Sequence, residues 1–289
     1  MNHEADATET MGKSENITDC RPTWEQRYIP VRPLGAGGMG RVQLMERRSD
    51  SLLVCLKFLN PDTDARTLEQ ECRALMRLRH PSIVSLVDFS LEDKPQWLAT
   101  EYVNGSTLQA YLKEHKALPV EKVLAILKSM LEALDYAHGE GVIHRDLKPA
   151  NLMVAVAESG VSLRILDFGI AIVDQFDHTG RITAQDAAPL GTVLYMAPEQ
   201  LEGQLLTSAC DLYAVGLMTW EMLTGQPVYE GKKLAQVISE KVTGTERFAF
   251  EGTSVYVPAK LRSFVEECTF RVAGARPTAQ DGLQIVRTL

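Results

Sequence analysis

Hydrophobic residues change their period once along this chain, and that change limits the fold more than any other feature. Across residues 28–34, 41–46, 53–58, 83–89 and 96–102 they fall in short β-type runs. One helical stretch interrupts them at 62–78, where Leu68, Leu75 and Leu78 recur at helix spacing and Pro81 follows the stop. After Gly105 the segments 118–138, 208–223, 234–242, 258–268 and 278–289 read as helices. Strands in the first third and helices thereafter predict an α+β chain of two lobes meeting near residues 103–106. Residues 1–24 lack hydrophobic periodicity and read as a flexible leader.

Composition excludes some function classes. The 289 residues are 45% hydrophobic and 24% charged, ordinary for a globular protein. A net charge of −8 argues against a nucleic-acid-binding surface, which is normally basic. No run approaches the roughly 18 apolar residues of a membrane span, and the N-terminus has no signal-peptide pattern. Cys20, Cys55, Cys72, Cys210 and Cys268 are odd in number and form no C-x-x-C. Reduced thiols, no disulfide and a cytoplasmic location are expected.

The first chemical signal is Leu34-Gly35-Ala36-Gly37-Gly38-Met39-Gly40-Arg41-Val42, which fits G-x-G-x-x-G-x-V. Glycines let backbone approach phosphate oxygens closely. Dinucleotide-binding folds use similar spacing, but there the loop opens a helix. Here β-type sequence follows, so the readings are a hairpin flap over a nucleotide or a plain glycine-rich hairpin. Lys57 lies on the third strand between apolar neighbours. Either its stem lies on the strand with its head in water, or it meets phosphates and needs a carboxylate. Glu69 and Glu71 on the following helix are the candidates; Glu71 shares a face with Leu75 and is preferred.

The strongest motif is Val142-Ile143-His144-Arg145-Asp146-Leu147-Lys148-Pro149-Ala150-Asn151. Asp146 can accept a hydroxyl proton, Lys148 can neutralise a transferring phosphoryl group, and Asn151 offers a hard carbonyl oxygen for Mg²⁺. Asp167 ends an apolar strand in Asp167-Phe168-Gly169, as a metal-binding carboxylate at a cleft should. Gly191-Thr192 then leads into Ala197-Pro198-Glu199.

These motifs stand in the order of the eukaryotic-type protein kinase family, which the chain resembles from about residue 26 onward, with wording similar to bacterial members. The resemblance implies a bilobal protein-kinase fold. A small antiparallel β-sheet lobe with one helix is expected over 25–103, and a larger, mainly helical lobe over 104–289. It implies ATP with Mg²⁺, or Mn²⁺ in its place, bound beneath the glycine loop. The hinge Glu101-Tyr102-Val103 behind the gatekeeper Thr100 would bond adenine, and Val42, Cys55 and Met153 would sandwich the ring. Asn151 and Asp167 would hold the metal. Leu75, Leu86, His144 and Phe168 would stack as a hydrophobic spine anchored by Asp211, and Arg276 would pair with Glu199. Lys148 and Thr192 resemble the Ser/Thr branch, where that threonine bonds the catalytic aspartate and lysine.

The function so implied is Ser/Thr protein kinase. The alternative is a pseudokinase scaffold that binds nucleotide without efficient transfer, against which stand Lys57, Asp146, Asn151 and Asp167. The partners implied are protein substrates and a transient homodimer for phosphorylation in trans. Arg145 would then hold a phosphorylated activation segment, with Thr179 and Thr183 as phosphosites. Thr107 and Ala150 occupy places where arginine-directed members carry acids, so no carboxylate is expected for an upstream arginine.

Overall fold

The computed structural model describes residues 22–37, 40–157, 160–168, 190–245, 248–250, 253 and 255–289. Gly38, Met39, Gly169, Thr179, Thr183, Cys20 and most of the expected leader lie outside the described residues.

The small lobe begins with α1 (Trp24–Arg27), whose Trp24 ring meets Phe58 edge-on at 5.0 Å. It continues through β1 (Tyr28–Gly37), β2 (Gly40–Arg47), β3 (Leu53–Leu59), α2 (Ala65–Arg77), β4 (Leu86–Ser90) and β5 (Trp97–Glu101). The strands form one antiparallel sheet in the order β1-β2-β3-β5-β4. Strand alternation on β3 decides what each face does. Val54, Leu56 and Phe58 are buried with Tyr28, Met45 and Trp97 on one face. Cys55 and Lys57 therefore point to the other, toward the second lobe. Asp64 caps α2 by accepting the N–H of Arg66 at 2.9 Å.

The larger lobe runs through β6 (Ser106–Thr107), α3 (Leu108–His115), α4 (Val120–Gly139), β7 (Leu152–Ala157), β8 (Gly160–Ile165), α5 (Leu190–Val193), α6 (Pro198–Leu201), α7 (Ala209–Thr224), α8 (Leu234–Thr243), α9 (Ala259–Cys268) and α10 (Ala279–Arg287). α4 presents Val123, Ile126, Leu127, Met130, Leu131 and Leu134 to the core at helix spacing. α7 is apolar nearly all round and correspondingly buried on every side, from Cys210 to Leu223. It ends at Gly225, φ 68°, where a Cβ would sit 2.3 Å from the N of Ala117.

The lobes are stitched beside the site. Ile165, closing β8, donates to the carbonyl of Ser82 at 2.8 Å and accepts from Val84 at 3.0 Å, just ahead of β4. Asp167 is thereby held near β3. Several elements do not show in the sequence as periodic segments. α3 buries only Leu108, Tyr111 and Leu112, too short a run to establish a period. The β7–β8 hairpin shows in the sequence only as the apolar strand leading to Asp167.

Candidate active site

Between the lobes lies a cavity of about 400 Å³. Leu34, Gly35 and Val42 line it from β1 and β2, Cys55 and Lys57 from β3, Thr100, Glu101 and Val103 from the connection, and Met153 and Asp167 from below. Ten residues expected from the sequence thus meet in one place. Ala36, Gly37 and Gly40 belong to the same hairpin without lining the cavity. Tyr102 of the expected hinge lines it too, and Arg32, Val84, Leu98, Gly105, Thr107, Ala150 and Leu166 line it unanticipated.

The loop glycines divide by role. At Gly40 a Cβ would lie 1.9 Å from the Phe58 carbonyl oxygen, so the hairpin itself requires glycine. At Gly35 and Gly37 a Cβ would meet nothing within 4 Å. Packing among the described residues does not require those two, and glycine there permits close approach of another molecule to the backbone. At the connection, Glu101 N–H is taken by the Ser85 carbonyl at 3.0 Å and Tyr102 N–H by that of Leu53 at 3.3 Å. Among the described residues, Val103 N–H and C=O have no such partner and remain available to a ligand edge.

Lys57 Nζ donates to both Glu71 oxygens, at 3.1 and 2.8 Å, and to Asp167 Oδ1 at 3.4 Å. Glu69, the other candidate, faces out and pairs with Arg73 at 2.5 Å. Burial disfavours charge on Lys57, yet Asp167 and Glu71 together outweigh it and hold its pKa above the ordinary lysine range. Burial pushes the Glu71 carboxyl up to about 7, against the pull of Lys57. The Lys57 ammonium holds the Asp167 carboxyl below the usual carboxylate range. The Asp167 side chain is 47% exposed, against 4% for Glu71, so Asp167 is the carboxylate presented to the cleft. Burial, with the charge of Asp167, pushes the Cys55 thiol up to about 11.

Asp167 adopts a left-handed backbone, φ 43°, a sparsely populated conformation for a residue with a Cβ. Phe168 beyond it is fully buried and tilts against the His144 ring at 4.8 Å. Leu75 and Phe168 share one buried cluster, with Leu86 packed on it. Of the four expected spine residues, His144 meets Phe168 directly and Leu75 and Leu86 belong to the same core, while Asp167, beside Phe168, reaches Lys57.

The catalytic-loop candidates form a second polar cluster. Lys148 Nζ donates to Asp146 Oδ1 and Oδ2 at 3.0 and 2.8 Å and to the Thr192 hydroxyl at 2.8 Å. Asp146 and Thr192 are thus joined through Lys148. Asn151 Nδ2 donates to the Asp146 carbonyl at 2.8 Å and to Asp146 Oδ2 at 3.1 Å, fixing its amide and freeing its own carbonyl oxygen. Asp167 and Asn151 are hard oxygen donors of the type Mg²⁺ takes. Arg145, at φ 67°, has its N–H held by Asp211 Oδ1 at 2.9 Å, and its Nε is buried with no partner among the described residues.

Past Thr192 the chain is fixed by buried polar pairs. Arg276 meets Glu199 with two bonds, at 2.6 and 2.8 Å, and also donates to the Phe270 and Ala209 carbonyls. Lys241 of α8 is fully buried, donates to the Met196 carbonyl at 2.9 Å and lies over the Tyr213 and Tyr229 rings at 4.5 and 4.7 Å. Nothing in the local sequence marked it. A groove next to this segment is lined by Thr192, Tyr195 and, on α7, the carboxylate Glu221. Its Oε2 accepts the Tyr195 hydroxyl. The four described cysteines, Cys55, Cys72, Cys210 and Cys268, are free thiols. No helix among the described residues is long and apolar enough to cross a membrane.

Comparison with known proteins places this geometry. A family model described as "Protein kinase domain" matches residues 28–286. The serine/threonine-protein kinase pkn2 of Myxococcus xanthus is 35% identical over 71% of this chain and 25% of its own length. The serine/threonine-protein kinase PrkC of Bacillus subtilis is 32% identical over 73% of this chain and 32% of its own length. The serine/threonine-protein kinase PknF of Mycobacterium tuberculosis is 35% identical over 75% of this chain and 47% of its own length. The chain spans less than half the length of these curated relatives.

Proposed function

Because this chain belongs to the protein kinase domain family, we propose that it is a Ser/Thr protein kinase, moving the γ-phosphoryl group of ATP to Ser or Thr hydroxyls of proteins. The observation that carries this reading is the Asp146–Lys148–Thr192 cluster, in which Lys148 reaches Asp146 Oδ2 and the Thr192 hydroxyl at 2.8 Å each, together with an assembled Lys57–Glu71–Asp167 set.

Each group has a task suited to its chemistry. The backbone at Gly35 and Gly37 covers the phosphates, and Val103 offers its N–H and C=O to adenine. Lys57, oriented by Glu71, neutralises phosphate oxygens. Mg²⁺, held by the Asp167 carboxylate and the Asn151 carbonyl, would supply further charge neutralisation when bound. Asp146 orients the acceptor hydroxyl and takes its proton as the oxygen attacks phosphorus. Lys148 offsets the charge that develops on the phosphoryl oxygens. Thr192 ties Lys148 to the segment that carries the peptide platform, so acceptor docking and charge neutralisation are set by the same contact.

Phosphorylation of Thr183 or Thr179 by a second copy is part of the proposal. Arg145 has a buried Nε with no partner among the described residues to offer a phosphate, and a phosphate brings three strong acceptor oxygens. Expression beside the Asp146→Asn form, with phosphates mapped, tests it. Phosphate on either threonine in the active form alone supports the proposal, and full activity in a Thr179→Ala, Thr183→Ala variant contradicts it.

The acceptor class is tested with radiolabelled ATP, Mg²⁺ and matched peptides that differ only in Ser, Thr or Tyr at the acceptor. Transfer to Ser and Thr but not Tyr is expected. Nucleotide binding without transfer to any acceptor would favour a scaffold instead.

A further inference from the structure

A second groove, of about 450 Å³, adjoins the transfer cluster and is lined in part by Lys148 and Thr192 themselves. A peptide whose hydroxyl sits at Asp146 must lay its flanking residues along this groove. Its charges are uneven. Lys148 is already matched by Asp146. Among the described residues, the remaining cations are Lys113 and Lys116 of the α3 wall, and the one lining carboxylate is Glu221.

Glu221 lies on α7, not on the α3 wall. Its oxygen is engaged by the Tyr195 hydroxyl, and burial raises its carboxyl above the usual range despite that bond. Lys113 and Lys116 are exposed and form no ion pair among the described residues. Glu114, between them in sequence, does not line the groove. Lys116 is also held in place: its N–H donates to the Leu112 carbonyl at 2.8 Å, and the Gly225 turn presses so closely that a Cβ there would lie 2.8 Å from the Lys116 carbonyl carbon. A fixed backbone with a free ammonium head is what an ionic subsite requires.

Building on the kinase reading above, we propose that the α3 side of this groove selects an acidic residue, Asp or Glu, in the substrate peptide. Lys113 and Lys116 face its carboxylate and act as specificity-determining residues. The whole chain is acidic, with a net charge of −8, so the preference is local to this wall and weakens with salt.

The test uses the full chain and peptides bearing one Ser in neutral flanks, with Glu placed singly at each flanking position. Relative kcat/KM is read at low salt and near physiological salt. We expect one or two adjacent positions, on one side of the Ser, to favour Glu by about five- to tenfold at low salt, shrinking as salt rises. In a Lys113→Glu, Lys116→Glu variant those same positions should favour Lys instead. A Lys113→Ala, Lys116→Ala variant should show no charge preference, and circular dichroism reports whether each variant is folded. Flat ratios in the wild type, an unchanged Glu preference in the folded variants, or a dominant Arg preference would overturn the subsite while leaving the kinase reading intact. Failure of the wild type to phosphorylate even the neutral peptide would overturn both.

Discussion

The Asp211 carboxylate, from the buried first turn of α7, accepts the backbone N–H of Arg145 at 2.9 Å and so holds a non-glycine residue at φ 67°. Its second oxygen accepts His144 N–H at 2.9 Å and meets His138 Nε2 at 2.8 Å. One side chain thus fixes the turn that delivers Asp146. A left-handed residue costs about 1–3 kcal/mol and persists only where its surroundings over-determine it. Asp211→Ala should strand two buried N–H groups at about 1–3 kcal/mol each. Thermal denaturation should show a Tm several degrees lower, with activity falling further than the folded fraction does. Activity proportional to folded protein would deny Asp211 its positioning role.

Asp211 also carries a pH signature. Burial alone would raise its carboxyl, but the His138 bond and charge, with the His144 amide, more than offset this and leave it below the usual range. A depressed folded-state pKa contributes stability that is present above the unfolded value, about 3.9, and is lost as pH falls through the folded value. The wild type should therefore lose stability on acidification below about pH 4 more steeply than Asp211→Asn. Parallel acid-denaturation curves would rule this out.

Thr192→Val removes the hydroxyl that accepts from Lys148 while keeping the shape. A hydrogen bond to a charged group is worth about 1.5–3 kcal/mol. The kcat should fall about 10- to 100-fold, with nucleotide affinity unchanged because Thr192 lies outside the inter-lobe cavity. Steady-state kinetics beside a nucleotide titration separate the two. A loss confined to nucleotide binding would contradict the assignment.

Lys57→Met and Glu71→Gln should differ in kind. The first removes the cation, and kcat/KM should fall by about 10²-fold or more. The second leaves Lys57 charged but without its buried anchor, so the KM for ATP should rise with a smaller loss in kcat. Equal losses from both would show that Glu71 does more than orient Lys57.

Glu199→Ala leaves Arg276 buried without its carboxylate partner, and breaking a buried pair costs about 3–5 kcal/mol. A large fall in Tm is expected by calorimetry. A fall of a degree or less would mean that the Phe270, Arg271 and Ala209 carbonyls satisfy the guanidinium alone.

The sequence revealed what depends on local order. The four-residue step from Glu71 to Leu75 favours Glu71 over Glu69 from the sequence alone, and Lys57 between apolar strand residues signals a need for a carboxylate. Contacts between distant segments were legible only where a family motif named both ends, as for Arg276 and Glu199. The buried Lys241 carries no local mark, because a lysine in an amphipathic helix ordinarily reads as solvated, and nothing near Glu221 in the sequence points to Tyr195. The left-handed residues Arg145 and Asp167 were equally hidden. Neither is glycine, and their conformation is imposed by partners elsewhere, such as Asp211 for Arg145.

The central claim is that Asp146, tethered by Lys148 and Asn151, moves the proton in phosphoryl transfer. Single-turnover transfer from labelled ATP to a neutral Ser peptide, by wild type and by Asp146→Asn, tests it most directly. Asp146→Asn keeps the size of the side chain but loses the proton acceptor. The rate should fall by about 10²- to 10⁴-fold with nucleotide affinity and Tm near wild-type values. Transfer at the wild-type rate by Asp146→Asn would contradict the account.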